Sequence, residues 1–480
     1  MSELGLRYKK AEALPQWYSE LIVKAELADY ADVKGFIILR PYGYAIWELI
    51  QRGLDARLKR LGVRNAYYPL LIPEGLLKRE AEHFKGFVPE VFWVTEAGDD
   101  RLSERLAIRP TSETIIYSHL ARVVKSYRDL PIKLNLWNSV LRAEIKMTKP
   151  FIRTSEFLWQ EGHTAHATRQ EAEEMALLML RTYEEFMVEE LALAPLAGRK
   201  SEREKFAGAD YTLTLEGVMP DGTILQLGTS HHLGDRFARA FEIRYLSREG
   251  RWEYVWQTSW GVSWRLLGAV FMLHGDDRGL VLPPRIAPIQ AVLVPIYYKE
   301  EEKEAVLEHC RALHRALLEQ GIRAELDARD WHTPGWKFND WELKGVPLRL
   351  EVGPRDVREG TCILARRDTL QKEKVQAAQA PKRAARLLEE IQEELRRRAR
   401  EVRERLTHRV KGYEEFRRAL SELGGFIAAP WCGSGECEAS IKQETGADIR
   451  LIPLKPEEVQ EGCIYCGTGP SVIAYFGKAY

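Results

Sequence analysis

The sequence of 480 residues has no net charge and little cysteine. Lysine and arginine together number 71, as do aspartate and glutamate, so a polyanionic partner would be bound by local basic patches. Six cysteines in so long a chain exclude a small scaffold held together by disulfides. No apolar run approaches the length of a membrane span, and the N-terminus has no signal sequence. These absences predict a cytoplasmic protein without membrane contact.

The sequence also lacks the Gly-x-x-x-x-Gly-Lys-Ser/Thr motif, which excludes a P-loop nucleotidase. Its composition, 45% hydrophobic and 30% charged, is typical of globular proteins. A proline-rich linker at 283–288 is followed by alternating strands and helices, and a charge-dense helix is predicted from Pro381 to Gly412. We therefore predict three domains, which comprise residues 1–283, 284–380 and 381–480.

The stretch from Leu136 to His163 is the most informative part of the chain. Two apolar-rich segments, 134–141 and 151–159, flank a short polar loop. This pattern predicts two antiparallel strands joined by a basic loop that carries Lys146 and Lys149. The two lysines either face phosphate or nucleic acid or belong to a solvated loop.

Four side chains of this hairpin suit a nucleoside triphosphate. Arg142 and Glu144 are two residues apart, so on a strand they share one face. Arg153 and Phe157, predicted on the second strand, would reach the same face of the sheet. Guanidinium groups bind phosphate, a carboxylate accepts from an adenine amino group, and a ring stacks on the base. A hairpin whose charges are simply solvated is the alternative.

Four of the six cysteines form two close pairs near the C-terminus, Cys432 with Cys437 and Cys463 with Cys466. Two such pairs fit a tetrahedral zinc site with four thiolate ligands, which leaves no open position and is therefore structural. Two disulfides are the alternative, disfavoured in a cytoplasmic protein. The adjacent histidines, His231 and His232, have no cysteine nearby, so we expect no metal there.

Several motifs resemble the class II aminoacyl-tRNA synthetases. The hairpin is similar to motif 2, residues 260–265 to motif 3, and the helix 44–61 with the extended segment 63–73 to motif 1. Other stretches resemble the prolyl-tRNA synthetases in particular, in order along almost the whole chain: Arg109-Pro-Thr-Ser-Glu113, Trp159-Gln-Glu-Gly-His163, Phe206-Ala-Gly-Ala-Asp-Tyr211, Gly228-Thr-Ser-His-His232 and Thr333-Pro-Gly-Trp-Lys-Phe338.

The resemblance implies an α/β and α+β multidomain fold: a class II catalytic domain built on an antiparallel sheet, an α/β anticodon-binding domain and a small C-terminal zinc-binding domain. It implies ATP-dependent attachment of L-proline to tRNA(Pro) through a prolyl-adenylate, with release of AMP and pyrophosphate. The partners are then tRNA(Pro), ATP with Mg²⁺, L-proline and, through motif 1, a second subunit in a homodimer. In similar enzymes the carboxylate of a terminal tyrosine, here Tyr480, approaches the active site.

The resemblance also implies the roles of individual residues. Arg142 and Arg265 would be catalytic. Proline would be bound by Thr111, Glu113, Arg142, Trp159, Glu161, His163, His231 and Ser263. ATP would be bound by Arg142, Glu144, Arg153, Phe157, Gln226, Thr229 and Arg265. The anticodon would be read by Phe338, Glu342, Arg349 and Arg355.

Local patterns leave two alternatives open. Thr111 and Glu113 also match a helix-start signature, so capping is their simpler role. The chain as a whole could be a threonyl or histidyl sibling, or a non-catalytic RNA-binding paralogue. A threonyl enzyme needs an active-site zinc, for which the sequence between 100 and 265 shows no ligand set; a paralogue should have lost Arg142, Glu144 or Arg265. An inserted editing domain between motifs 2 and 3 is also missing.

Overall fold

The structure is a computed structural model that describes residues 5–83, 90–143 and 147–480. Up to residue 274 its helices and strands are α1 (Leu14–Lys24), β1 (Ala28–Tyr30), β2 (Ile37–Leu39), α2 (Pro41–Arg60), β3 (Arg64–Asn65), β4 (Leu71–Pro73), α3 (Glu74–His83), β5 (Trp93–Ala97), β6 (Asp100–Ile108), α4 (Glu113–Val123), β7 (Ile132–Leu141), β8 (Glu156–His166), α5 (Arg169–Glu189), β9 (Leu196–Arg199), β10 (Tyr211–Val218), β11 (Ile224–Gly234), α6 (Arg236–Phe241), β12 (Arg244–Leu246), β13 (Trp252–Tyr254), β14 (Trp256–Ser263) and α7 (Arg265–His274).

The remainder of the chain adds further strands and helices. They are β15 (Ala291–Pro295), α8 (Glu300–Glu319), β16 (Ala324–Leu326), α9 (Pro334–Leu343), β17 (Leu348–Val352), α10 (Pro354–Glu359), β18 (Thr361–Arg366), β19 (Lys372–Gln376), α11 (Ala380–Arg405), β20 (Thr407–Arg409), α12 (Tyr413–Glu422), β21 (Phe426–Trp431), α13 (Gly435–Thr445), β22 (Asp448–Pro453), β23 (Glu458–Val459) and β24 (Ser471–Gly477). In the described ranges, no helix has both the length and the apolar character that a membrane crossing requires.

The first half of the chain is built on an antiparallel sheet in which β9, β10, β11, β14, β8 and β7 lie side by side. Helix α5 packs across this sheet. A capping box between Thr168 and Glu171 starts the helix, and Met175, Met179 and Tyr183 of its apolar stripe are buried. Apolar residues recur at helical spacing over 170–191, and this periodicity predicts the helix that the structure shows. One face of the sheet is thereby covered, which leaves the other for a ligand.

The predicted hairpin is present, but its strands have other limits than expected. Strand β7 ends at Leu141 and β8 begins at Glu156, so Arg142 and Arg153 lie outside both strands. The reason is Phe151, which has a positive φ of 62° and packs edge-on against Trp264 and Phe271. Because this turn buries Phe151 and the following residue together, the chain loses the alternation that a strand needs.

The second sheet has the order β16-β15-β17-β18-β19, with β16, β15 and β17 parallel and the last two strands antiparallel. Helices α8 and α11 cover its apolar face, so this part is an α/β layer as predicted. Helix α11 ends at Arg405, seven residues before the predicted Gly412. It stops there because residues 407–409 form β20 and pair with β21.

The C-terminal part continues the large sheet. Strands β20, β21, β24 and β22 extend it beyond β9, since β22 pairs with β9 through Ile452 and Arg199 and through Pro453 and Gly198. Gly198 is required by this pairing, because a Cβ atom there would lie 2.5 Å from the carbonyl oxygen of Ile452. The expected mixture of antiparallel and α/β layers is confirmed, with the C-terminal strands joined to the first sheet.

Candidate functional sites

A cavity of about 270 Å³ opens over the middle of the antiparallel sheet. Neighbouring antiparallel strands present alternate side chains to one face, which brings distant parts of the sequence together. Its lining includes Thr111, Glu113, Arg142, Phe157, Trp159, Glu161, His163, Gln226, Thr229, His231, Ser263 and Arg265. All twelve were expected to bind proline or ATP.

One end of the cavity is acidic. Thr111 donates its hydroxyl to Glu113, and both residues are buried. The neighbouring Glu161 accepts from the Ser112 hydroxyl, from the Ser112 backbone N–H at 3.3 Å and from Asn138 Nδ2 at 3.0 Å. The capping role of Thr111 is wrong, because α4 has Ser112 as its N-cap and no side-chain cap. Ser112 and Asn138 were missed, since neither has a charge or spacing that marks it.

His163 lies between the two carboxylates. Its Nε2 is 3.0 Å from Glu161 Oε2, and its Nδ1 is 3.2 Å from the Tyr117 hydroxyl. Burial opposes charge on the imidazole, but the hydrogen bond to Glu161 and the charges of Glu113 and Glu161 outweigh it and raise the pKa of His163. Burial likewise opposes charge on Glu161, yet its bond to His163 and further donors lower its pKa. Each partner of this pair therefore favours the charged form of the other.

Glu113, Glu161 and His163 could also hold a metal ion, because their ligand atoms lie within 4.8 Å of one another. The expectation that 100–265 offers no ligand set is therefore wrong, since the fold joins residues about 50 positions apart. However, Glu161 already accepts hydrogen bonds from Ser112 and Asn138 and pairs with His163. A cation would displace these bonds, whereas an ammonium group needs only Glu113 and Thr111.

The two adjacent histidines point to opposite faces of β11. His231 Nδ1 is 2.9 Å from the Thr212 hydroxyl and Nε2 is 3.0 Å from the Thr229 hydroxyl. Burial, with a contribution from the charge of His163, lowers the pKa of His231 to about 3, so its ring is neutral. His232 instead stacks on Tyr211 with ring centroids 5.0 Å apart.

The end of the cavity that carries Arg142 and Arg265 is cationic. Arg142 lies over the Phe157 ring at 5.1 Å and the Trp159 ring at 5.9 Å, and its Nε is 3.3 Å from the carbonyl oxygen of Pro110. Within the described ranges, the guanidinium of Arg265 is held by two long hydrogen bonds, from Nη1 to Gln226 O at 3.3 Å and from Nη2 to Ile152 O at 3.4 Å. Burial, followed by the charge of Arg142, lowers the pKa of Arg265 to about 10. An anionic ligand would relieve this crowding of charge.

The segment between β7 and β8 contacts Tyr480. Arg153 Nη2 donates to Tyr480 O at 2.6 Å, and Lys149 lies over the Tyr480 ring at 4.1 Å. Lys149 is half-buried, so a solvated position is wrong for this lysine. Glu144, expected at adenine, and Lys146 lie outside the described residues.

A second cavity, of about 310 Å³, lies in the α/β part. Glu342 Oε1 accepts from Arg349 Nη1 at 2.9 Å, and Glu342 Oε2 accepts from Arg278 Nη1 at 3.0 Å. The guanidinium of Arg349 lies 4.0 Å from the centroid of the Phe338 ring. Three of the four residues expected at an anticodon therefore meet here.

The fourth, Arg355, lies elsewhere. It is exposed on α10 and pairs with Glu359 at 2.7 Å. Instead, the cavity adds Arg278, Arg366, Arg367 and Lys372. Sequence reasoning missed Arg278 because it follows α7, far along the chain from the other residues of this cavity.

The four cysteines of the C-terminal part meet as expected. Their Sγ atoms lie within 4.8 Å of one another, with 3.7 Å from Cys432 to Cys437 and 3.8 Å from Cys466 to Cys432. Four sulfurs about 2.3 Å from a tetrahedral Zn²⁺ would be about 3.8 Å apart. All four are free cysteines, so the disulfide alternative is wrong. The cluster fits zinc.

Comparison with known proteins agrees with this geometry. Residues 92–274 match the family profile "tRNA synthetase class II core domain (G, H, P, S and T)". Residues 290–387 match "Anticodon binding domain", and residues 413–480 match "Prolyl-tRNA synthetase, C-terminal". The three profiles follow the same order as the two cavities and the cysteine cluster.

Whole-length relatives give the same result. The chain is 50% identical over 479 residues to "Proline--tRNA ligase" of Cenarchaeum symbiosum, covering 100% of both chains. It is 52% identical over 472 residues to "Proline--tRNA ligase" of Rubrobacter xylanophilus, covering 98% of both. A solved prolyl-tRNA synthetase from Cryptosporidium parvum, complexed with halofuginone and AMPPNP, superposes with a TM-score of 0.95 at 40% identity, covering 99% of this chain and 100% of that one.

Proposed function

The chain belongs to the prolyl-tRNA synthetase family and attaches proline to tRNA with ATP and Mg²⁺, and from this premise we propose how its residues divide the reaction. The observation that carries the proposal is the polarity of the 270 Å³ cavity, which is acidic around Glu113 and Glu161 and cationic around Arg142 and Arg265. Proline has an ammonium group and a carboxylate, and ATP brings phosphates. The two ends therefore suit the two substrates in one orientation.

The acidic end selects the amino acid. Proline is a secondary ammonium with two N–H donors and one positive charge, which Glu113 and Thr111 satisfy. Glu161 is already hydrogen-bonded to His163, Ser112 and Asn138, so the ammonium group of proline falls to Glu113. Trp159, Ser263 and the neutral ring of His231 complete the walls against the pyrrolidine ring.

Activation takes place at the cationic end. A carboxylate oxygen of proline attacks the α-phosphorus of ATP, a new P–O bond forms, and the P–O bond to pyrophosphate breaks. No proton moves in this step. Arg142 is placed to neutralise charge on the proline carboxylate and on the α-phosphate as that charge shifts, and Mg²⁺ carried with ATP neutralises the leaving pyrophosphate.

The remaining residues of the cationic end hold the nucleotide. Arg265 and Arg153 bind phosphates, and Phe157 stacks on adenine. Gln226 and Thr229, on the cavity side of β11, contact the nucleoside. Glu144 accepts from the adenine amino group by resemblance alone, because it lies outside the described residues. The terminal ribose hydroxyl of tRNA(Pro) then attacks the prolyl carbonyl and AMP leaves, a step that depends on positioning.

The second cavity reads the anticodon. Proline codons begin with two cytidines, so every tRNA(Pro) anticodon presents two guanosines. The carboxylate of Glu342 accepts from the N1–H and N2–H groups of a guanine, and Phe338 provides a stacking surface. Arg349 orients the carboxylate. Arg355, outside this cavity, would serve the anticodon loop only through its phosphates.

Two further assignments concern assembly. Cys432, Cys437, Cys463 and Cys466 hold a structural zinc that ties α13 to the segment before β24. The homodimer forms through α2 and the segment 63–73, where Tyr44, Tyr67 and Leu70 are exposed apolar side chains. We place the domain boundaries at 1–283, 284–380 and 381–480, and the enzyme in the cytoplasm, where tRNA is charged.

An ATP–pyrophosphate exchange assay over the standard amino acids tests the amino-acid assignment. Proline should support exchange far above all others. Stronger exchange with threonine or histidine would make the chain a sibling enzyme, and no exchange with any amino acid would make it a non-catalytic paralogue. Aminoacylation of tRNA(Pro) transcripts then tests the second half-reaction.

A further inference from the structure

Glu216 is a fully buried carboxylate on β10 that none of the steps above uses. Thr212, Thr214 and Glu216 alternate along β10, so all three lie on the face that carries the active-site cavity, which Thr212 lines. On the next strand Glu216 is paired with Gln226, where the register shifts by one residue. A bulge of this kind re-aims side chains beside a site.

Two cations neutralise Glu216, and one comes from the C-terminal part. Lys200 Nζ donates to Glu216 Oε1 at 2.6 Å, and Arg450 on β22 donates from Nε at 3.1 Å and from Nη2 at 2.7 Å to Oε2. Lys200 also donates to the carbonyl oxygen of Arg450 at 2.9 Å. Burial opposes charge on Glu216, but Lys200 and Arg450 outweigh it and lower its pKa.

Arg265 lies on the other side of this cluster. Its guanidinium is bound to the carbonyl oxygen of Gln226 at 3.3 Å, the residue paired with Glu216. Its Nε is buried and has no hydrogen-bond partner within the described part of the chain. The negative charge of Glu216 raises the pKa of Arg265, whereas the positive charge of Arg450 lowers it.

We propose that Arg450 is a positioning residue for ATP, because it saturates Glu216 and so keeps Arg265 directed at the nucleotide. Without Arg450, the freed Oε2 of Glu216 draws Arg265 toward the sheet and away from the phosphates. The C-terminal part then contributes to nucleotide binding from beneath the cavity, without touching ATP. The inference rests on the proposed role of Arg265.

The test is a set of variants in proline-dependent exchange, with KM measured separately for ATP and for proline. Arg450→Met should raise the KM for ATP about tenfold and change the KM for proline less than about twofold, because Thr111 and Glu113 lie at the other end of the cavity. Arg450→Lys, which keeps the charge, should recover most of the loss. The double variant Glu216→Gln with Arg450→Met should restore the KM for ATP to within about threefold of the parent, since no freed carboxylate remains.

If Arg450 only joined the C-terminal part to the first sheet, other results would be expected. The double variant would then be as impaired as Arg450→Met, or both KM values would rise together, and either outcome overturns the inference. Should Arg450→Met not fold, the double variant and Arg450→Lys decide by the same two KM values. Arg265→Met distinguishes a failure of the proposed function from a failure of the present inference. If Arg265→Met leaves the KM for ATP unchanged, the proposed role of Arg265 in binding phosphate is wrong. If Arg265→Met raises that KM and Arg450→Met does not, only the inference about Arg450 is wrong.

Discussion

Arg278 and Glu342 form an ion pair, with Nη1 and Oε2 3.0 Å apart, that joins the segment following α7 to the second cavity. Asp276 holds the same segment in place, because its carboxylate accepts two hydrogen bonds from the Arg367 guanidinium, at 2.6 and 2.8 Å. Arg367 in turn donates to the backbone carbonyl of Glu342 at 2.9 Å. The proposed anticodon pocket is therefore built partly from the end of the class II core.

We expect Glu342→Gln to separate the two half-reactions. Loss of the carboxylate removes the acceptor for guanine and the charged partner of Arg278, while Arg349 keeps its ion pair with Glu351, so aminoacylation of tRNA(Pro) should fall by about 10²-fold. Exchange without tRNA should stay within about twofold, since the first cavity is untouched. Glu304→Gln, at an exposed ion pair on α8 of the same domain, is the control. Equal damage to both assays would place Glu342 outside anticodon recognition.

Arg142→Ala should reduce proline-dependent exchange by about 10³-fold or more, because a preorganised charge at the reacting centre is lost. Arg251→Ala serves as the control, since the Arg251 side chain is 73% exposed. Circular dichroism should show both variants folded. A folded Arg142→Ala variant with nearly full exchange would contradict the assignment.

One zinc ion per chain is expected from metal analysis of the purified protein. Cys466→Ser should lose the metal and lower the melting temperature while part of the exchange activity survives, because a four-thiolate site supports folding and not chemistry. Cys310→Ala, which changes a buried cysteine in the α/β core, should keep the metal. Freshly purified protein without zinc would end this assignment.

The raised pKa of His163 gives stability a defined pH dependence. Its stabilising contribution is fully present below its unfolded pKa of about 6.5 and is lost as the pH rises through the higher folded value. The difference in unfolding free energy between the parent and His163→Gln should thus shrink as the pH rises above about 6.5 in urea titrations. His309→Gln, on α8, is the control. A difference that grows with pH would show that His163 is neutral.

A structural feature could be predicted from the sequence where the residues that cause it lie close together along the chain. The periodicity of apolar residues predicts helix α5, because that stripe lies within the helix itself. The turn at Phe151 was not predicted, since its cause is packing against Trp264, more than 100 residues further on. Arg278 was missed for the same reason. The site residues were identified through the resemblance of short motifs to the class II synthetases, whereas the grouping of Glu113, Glu161 and His163 as possible metal ligands required the fold.

Fidelity provides another prediction. Between β8 and β14 the chain contains α5, α6 and strands β9 to β13, with no inserted domain in this fully described range. Alanine presents the same carboxylate and also a charged amine, and the packing that it loses relative to proline is worth about 1–3 kcal/mol per missing methylene. Alanine should therefore support measurable exchange, far less efficient than that with proline.

Alanyl-tRNA(Pro), once made, should persist in the presence of this enzyme. The measurement is the decay of prepared mischarged tRNA with and without enzyme, and prolyl-tRNA(Pro) is the matched control. Rapid enzyme-dependent deacylation of the alanyl form alone would reveal an editing activity housed elsewhere in the chain.

The pairing of β9 with β22 also bears on how the protein is made. On the ribosome, β9 emerges some 250 residues before its partner, as the separation of Lys200 from Arg450 shows. Until then β9 is an open sheet edge, a template for contacts with other nascent chains. A nascent chain stalled before residue 450 would thus have a sheet in which the edge of β9 is unpaired and Glu216 lacks its ion pair with Arg450. Chaperone demand should peak in that interval of synthesis.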